Sequence, residues 1–249
     1  MSTRVIAFSN HKGGVGKTTS VASIGAGLAD KGKRVLLLDL DAQANLTLSL
    51  YGQKELERDL ADAIKEGTSL PVVNIKKKLD LAPASPALAE IEDYLKDAKD
   101  GKEYILKNLL EPLLPSYDFV LLDCPPSLGR IVVNAFVAST DVYIPLSAEP
   151  LPLNGLGMIE EVIGLVKKAH NSQLSLSGIF VTKYRGRALE KSVEGTLREK
   201  YASIVFKTLI RENIAIAEAP LSGEDILEYA PSSNGAKDYK ELVKEILKR

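Results

Sequence analysis

The run Lys12-Gly13-Gly14-Val15-Gly16-Lys17-Thr18-Thr19 places three glycines, two lysines and two hydroxyl side chains within eight residues. Glycines lack a Cβ, so this backbone is free to wind tightly and aim several N–H groups at one polyphosphate. Gly16-Lys17-Thr18 completes the second half of the G-x-x-x-x-G-K-[ST] phosphate-binding pattern. In that pattern Lys17 reaches the β- and γ-phosphates and the Thr18 hydroxyl ligates Mg²⁺. The ordinary first glycine is missing, and Lys12 stands close to where it should be. A second lysine so near the first adds repulsion unless it reaches elsewhere. The apolar run Val5–Ser9 before the loop and a small-residue helix from Thr18 to about Asp30 after it supply the expected strand–loop–helix context. That helix directs its positive end at the phosphates.

Phosphoryl chemistry at such a loop needs an acid near the metal and a group that orients the attacking water. Phe119-Val120-Leu121-Leu122-Asp123 is four apolar residues closed by an aspartate, a Walker B pattern. Val35-Leu36-Leu37-Leu38-Asp39-Leu40-Asp41 ends a second buried run with two more acids. An aspartate closing a strand is common as a turn former; both runs together with the loop make Thr18, Asp41 and Asp123 the candidate metal residues. Guanine-specific relatives of this fold carry T-K-x-D after a strand, where the carboxylate accepts from the base. Here Val181-Thr182-Lys183-Tyr184-Arg185 puts an arginine at that place. Arginine has no acceptor, so the expected nucleotide is ATP.

The elements that must hold these residues read as alternating strands and helices. Apolar runs at Val5–Ser9, Arg34–Asp39, Leu79–Ala82, Phe119–Asp123, Val142–Ser147 and Leu176–Val181, with a weaker one at Ile204–Ile210, predict a single-domain α/β fold. Its sheet is mostly parallel and flanked by helices on both faces, and residues 1–249 form one P-loop domain. Gly32 falls where a glycine closes the first helix. Pro112, Pro115, Pro125, Pro126, Pro145, Pro150 and Pro152 predict loops. Residues 52–115 are the least readable stretch. A final helix from Tyr239 to Arg249 spaces Tyr239, Leu242, Val243, Ile246 and Leu247 on one side.

At 249 residues the chain buries one substantial core, and no apolar run approaches the ~18 residues of a membrane span. Met1-Ser2-Thr3-Arg4 leads directly into the first strand, which leaves no room for a signal peptide, and a single cysteine, Cys124, fits a reducing cytoplasm. That thiol is expected as a small buried hydrophobe. The net charge of −1 gives no whole-molecule attraction to nucleic acid. Between Lys183 and Arg211, however, eight basic residues face three acidic ones. This segment is either a face for a nucleic-acid backbone or a solvated helix surface.

The loop resembles the deviant Walker A motif, KGGxGK[ST], of the ParA/Soj/MinD family of ATPases. The resemblance covers nearly the whole chain. Leu81-Ala82-Pro83-Ala84 with Leu88-Ala89-Glu90, Ala217-Glu218-Ala219-Pro220, and Tyr229-Ala230-Pro231 with Gly235-Ala236-Lys237-Asp238-Tyr239 are similar to segments of its partition branch. The chain is most similar to the short, Soj-like form, without the N-terminal DNA-binding extension of large plasmid members. The resemblance implies that Gly13, Gly14, Val15, Gly16, Lys17, Thr18 and Thr19 hold ATP with Mg²⁺, with Arg211 and Pro220 near the base. It also implies that Lys12 crosses an ATP-bridged homodimer onto the partner's nucleotide, that Asp41 places the water beside Asp39, and that Pro125-Pro126-Ser127 is the second switch. Function then follows as plasmid or chromosome partitioning: an ATP-bound, nucleoid-associated dimer on double-stranded DNA without sequence preference, released when a centromere-binding, ParB-like partner stimulates hydrolysis.

Three departures stand out. Ala42 replaces the family's usual proline, and His11 its usual glutamine, either as a packing neighbour or as a functional one. Where I-P-R-N-V-R-L is common, this chain has Ile210-Arg211-Glu212-Asn213-Ile214-Ala215-Ile216, which thins one basic edge. The residues expected at DNA are Lys183, Arg185, Arg187, Lys207 and Lys237. Two other functions share the fold class: a MinD-like membrane-cycling ATPase, which needs the last helix as a free amphipathic anchor, and a small-molecule synthetase or kinase, which needs no Lys12.

Overall fold

The computed structural model describes residues 3–97, 101–148 and 152–249. Seven strands form one sheet: β1 (Arg4–Phe8), β2 (Val35–Asp39), β3 (Val73–Lys76), β4 (Leu79–Ala82), β5 (Phe119–Asp123), β6 (Asp141–Ser147) and β7 (Ser175–Thr182). Their order across the sheet is β3-β4-β2-β5-β1-β6-β7, and every neighbouring pair is parallel except β3–β4. The α/β class and the mostly parallel sheet are as the sequence predicts.

Strand residues alternate between two cores. Val5, Ala7, Leu36, Leu38, Val120 and Leu122 face one; Ile6, Phe8, Val35, Leu37, Phe119 and Leu121 face the other. Burial on both faces is why these strands read as unbroken apolar runs. The helix Lys17–Asp30 lies on the second face, packed so closely that a Cβ at Gly25 would meet Leu37 Cδ2 at 2.7 Å. It ends as expected: Gly32 takes φ +84° and Lys33 N–H donates back to Leu28 O.

Four expectations are corrected. Ile204–Ile210 is no strand; it runs beside β7 with one isolated bridge, Ile179 to Val205, and a second follows at Tyr184–Arg211. β3 went unread because four residues on an antiparallel edge, none of them buried, carry little apolar pattern. Pro145 lies inside β6 and not in a loop. Its carbonyl faces β1, where Asn10 Nδ2 donates at 2.8 Å. Its missing N–H points the same way, beyond Tyr143, the last β6 residue paired to β1. Pro152 opens the helix Pro152–Ala169, a position where proline is tolerated; Pro150 lies outside the described residues.

The last helix begins earlier than its pattern suggests, at Asn234, and ends at Ile246. Tyr239, Leu242, Val243 and Ile246 are all buried in the second core. The apolar face a membrane anchor would need is therefore consumed by packing. No helix among the described residues is long and apolar enough to cross a membrane.

Candidate functional site

Strand register assembles the site. Phe8 and Asp39 are both Cα partners of Asp123, so β1, β2 and β5 end in one row. The loop that follows Phe8 therefore starts beside two carboxylates, in the crevice at the strand ends where sheets of this type bind ligands. Gly14 and Gly16 adopt φ +71° and +84°, a left-handed backbone that favours glycine. A Cβ at Gly13 or Gly14 would meet nothing within 4 Å, so the loop is an open cradle.

Neighbouring side chains fix that cradle. Asn10 Oδ1 accepts from Lys12 N–H at 3.0 Å, and Thr182 Oγ1 donates to Val15 O at 2.8 Å from the end of β7. Lys17 is buried and folds its Nζ onto the loop's own carbonyls, Asn10 O at 3.1 Å and Lys12 O at 3.4 Å. Burial lowers its pKa, while Asp123 foremost among its neighbours pulls the other way. A polyphosphate would give this ammonium the countercharge that two carbonyls do not.

The three acids differ sharply. Asp39 is fully buried yet satisfied: its Oδ2 accepts from both the N–H and the hydroxyl of Thr47 at 2.8 Å, and its Oδ1 from Asp41 N–H at 3.3 Å. Asp41 is half-buried at the cleft wall and accepts from Gln43 N–H at 3.0 Å. Asp123 is buried with neither carboxylate oxygen in a hydrogen bond. Burial, and then the Asp39 charge, hold it well above the ordinary carboxylate range, with Thr18 and Lys17 opposing. An orphaned buried carboxylate costs several kcal/mol unless a cation or donor meets it. The residues here thus fit a divalent cation, with the Thr18 hydroxyl, Asp41 and Asp123 as its protein groups.

A cleft of about 950 Å³ opens over the cradle. Gly13, Gly14, Gly16, Lys17, Thr18, Thr19 and Asp41 line it on one side, and Arg211 and Pro220 on the other, all sequence-predicted. Val15 is buried beneath the loop, and Pro126, just beyond β5, reaches the wall. Lys12 is exposed and does not line this cleft. Arg211 is held by Asp238, its Nε at 2.9 Å and Nη2 at 2.6 Å from the carboxylate.

The basic candidates divide. Lys183, Arg185 and Arg187 surround a second, smaller cavity of about 370 Å³ together with Glu190 and Glu212, while Lys207 and Lys237 do not line it. Arg185 is locked in a two-pronged ion pair with Glu212. Lys183, Lys207 and Lys237 are exposed. Elsewhere, Cys124 is buried as expected, and burial pushes its thiol up and out of reactive range. The His11 ring lies where a Cβ on Gly155 would have to sit, 2.3 Å from Cε1, so it packs against the helix Pro152–Ala169.

Sequence reasoning passed over Asn10, Thr47 and Thr182, which build the site through hydrogen bonds and present no charge. The signal was present only as polar residues just beyond apolar runs for Asn10 and Thr182, and for Thr47 as a polar residue within the short helix Asn45–Tyr51.

Comparison with known proteins agrees with this geometry. The family described as an AAA domain matches residues 3–176. The sporulation initiation inhibitor protein Soj of Bacillus subtilis is 38% identical over 250 residues, covering 98% of each chain. The chromosome-partitioning ATPase Soj of Thermus thermophilus is 39% identical over 249 residues, 99% of this chain and 96% of that one. The chain belongs to the ParA/Soj/MinD family of ATPases. Among solved structures, cobyrinic acid a,c-diamide synthase of Mycobacterium smegmatis, with an ATP analogue and magnesium bound, superposes with TM-score 0.85 at 34% identity over 98% of this chain and 94% of that one. As a ParA/Soj ATPase, the chain keeps the open glycine cradle, the Walker B acid and both lysines of the motif.

Proposed function

We propose that this chain is an ATP-driven switch for DNA partitioning, working as one P-loop domain that dimerises around ATP and Mg²⁺. When bound, Mg²⁺ neutralises phosphate charge and helps orient the reacting groups. Lys17 holds the terminal phosphates, Thr18, Asp41 and Asp123 form the metal side, and Asp41 orients water at the cleft wall. Lys12 acts across the dimer, as an arginine finger supplied in trans does. In the ATP state the dimer binds duplex DNA through phosphates, without reading bases. A centromere-binding, ParB-like partner then stimulates hydrolysis and release, which keeps the protein on the nucleoid in cycles.

One observation carries this reading: Lys12 is exposed and stands outside the cleft that its own loop lines. An exposed lysine at the motif's second place, outside the lining of its own cleft, suits a second subunit's phosphate. Full-length similarity to two Soj proteins supports the partition role. The buried face of the last helix argues against the membrane-cycling alternative.

The test is duplex DNA binding with ATP and Mg²⁺, with ADP, and without nucleotide, using Asp41→Ala to block turnover. Binding in the ATP state alone is the expected result. Equal binding in all three states, or none in any, overturns the switch.

A further inference from the structure

Residues 40–44 join β2 to the helix Asn45–Tyr51 and carry Asp41 to the cleft wall. The turn is closed by Ala44 N–H donating to Asp41 O at 2.8 Å and Gln43 N–H to Asp41 Oδ1 at 3.0 Å, and Leu40 N–H donates to Asp123 O at 3.0 Å. Ala42 stands in the turn, and Ala44 takes φ +51°, a left-handed backbone that a residue with a Cβ adopts reluctantly. A loop containing such a residue keeps its shape only when its surroundings over-determine it.

Thr47 anchors the buried side of that turn. Its N–H and its Oγ1 both donate to Asp39 Oδ2 at 2.8 Å, and the same Oγ1 accepts from Ala84 N–H at 3.0 Å, beyond the end of β4. The other oxygen of that carboxylate accepts from the Asp41 N–H at 3.3 Å. Thr47, Asp39 and Ala84 are 4%, 0% and 2% exposed, so water does not substitute for any of these bonds. One buried hydroxyl thus ties two strand ends and a helix to the peptide of Asp41.

We infer that Thr47 is a positioning residue for hydrolysis: through Asp39 it sets where the Asp41 carboxylate stands over the phosphate cradle. This rests on the reading of Asp41 as the water-orienting acid. Thr47 itself lines no part of the cleft. Its loss should therefore slow the chemical step and leave nucleotide binding to the loop, because misplacing a catalytic group by about 1 Å lowers rate much more than affinity.

The experiment compares Thr47→Val, which keeps the volume and removes the hydroxyl, with Thr47→Ser, which restores it. For ATP hydrolysis, Thr47→Val should lower kcat roughly tenfold with KM for ATP and affinity for ADP within about twofold, and Thr47→Ser should return kcat to within about twofold of wild type. Thr47→Val in an Asp41→Ala background should cause no further loss, since the two act as a unit. If Thr47→Val does not fold, Thr47→Cys carries the same comparison with a weak S–H donor and a smaller drop. A lowered melting temperature with kcat and KM both at wild-type values makes Thr47 merely structural and overturns the proposal. Turnover by Asp41→Ala at the wild-type rate removes the underlying reading, and the proposal with it; an inactive Asp41→Ala beside a fully active Thr47→Val overturns the proposal alone.

Discussion

The phosphate cradle and the basic lip formed by residues 183–212 lie along the same cleft, yet they are built on opposite principles. In the cradle the charges are inside: Asp39, Asp123 and Lys17 are 0%, 1% and 7% exposed, and register along β1, β2 and β5 fixes their spacing. In the lip the charges are outside, and the Arg185 and Glu212 side chains retain 43% and 44% of their exposure. A buried charge is tolerable only with its partners in place, so exchanging one member is costly. An exposed ion pair carries little net stability and is free to change. The chain follows that difference. Its cradle keeps the family motif, whereas Glu212 and Ala215 stand where arginines are common.

The largest test of that contrast removes the cradle's own cation. Lys17→Ala should weaken ADP and ATP binding by about 100-fold, the effect of leaving a buried charge partner unmet. Calorimetric titration with Mg·ADP measures it, and a loss under tenfold would mean the open glycine backbone alone holds the phosphates. Lys12→Ala separates the two lysines. It should keep nucleotide affinity within about threefold, because Lys12 does not line the cleft, while ATP-dependent dimers disappear from light scattering. A dimer that persists in this variant ends the trans assignment.

The lip should answer more gently. Glu212→Gln frees Arg185 from its ion pair without altering the volume of the neighbouring cavity. Affinity of the ATP state for duplex DNA should rise about three- to tenfold, and the slope of log affinity against log salt should steepen by about one unit, the signature of one additional phosphate contact. If affinity is unchanged and the slope stays flat, Arg185 is no part of the DNA face, and Lys183 and Arg187 are the residues to vary next.

How far each region was legible follows from the same physics. The cradle was readable because its strands are buried on both faces and its loop needs glycine at fixed places. Even there, Asp39 read only as one of two acids closing an apolar run, and the hydrogen bonds from Thr47 show it to be a structural anchor. The lip was readable as charge but not as geometry. Counting basic residues could not foresee that Arg185 meets Glu212 from 27 positions away or that Arg211 meets Asp238 at the same separation. Ile204–Ile210 read as a strand because its apolar residues suit one. Its ladder is interrupted, with Phe206 and Ile210 donating to β7 at separated points. Pro145 misled in the opposite direction, since its missing donor falls just past the end of the β1 pairing.

Between the two regions sits one hydrogen bond that sharpens the comparison at its smallest scale. Ser20, one turn into the helix that follows the cradle, meets the Tyr239 hydroxyl at 2.9 Å, and Tyr239 also lines the cleft. Burial pushes that phenol up to about 12, so it stays neutral and available as a donor at any working pH. Tyr239→Phe leaves the ring packed and removes only this bond. The Ser20 hydroxyl can turn to a carbonyl of its own helix, which returns part of the loss. The expected cost is about 1 kcal/mol, or a melting temperature lower by about 2–4 °C, with ADP affinity within about twofold. A much larger fall in affinity at the same small cost in stability would show that the C-terminal helix positions the cradle, and that the cleft's two sides are mechanically one.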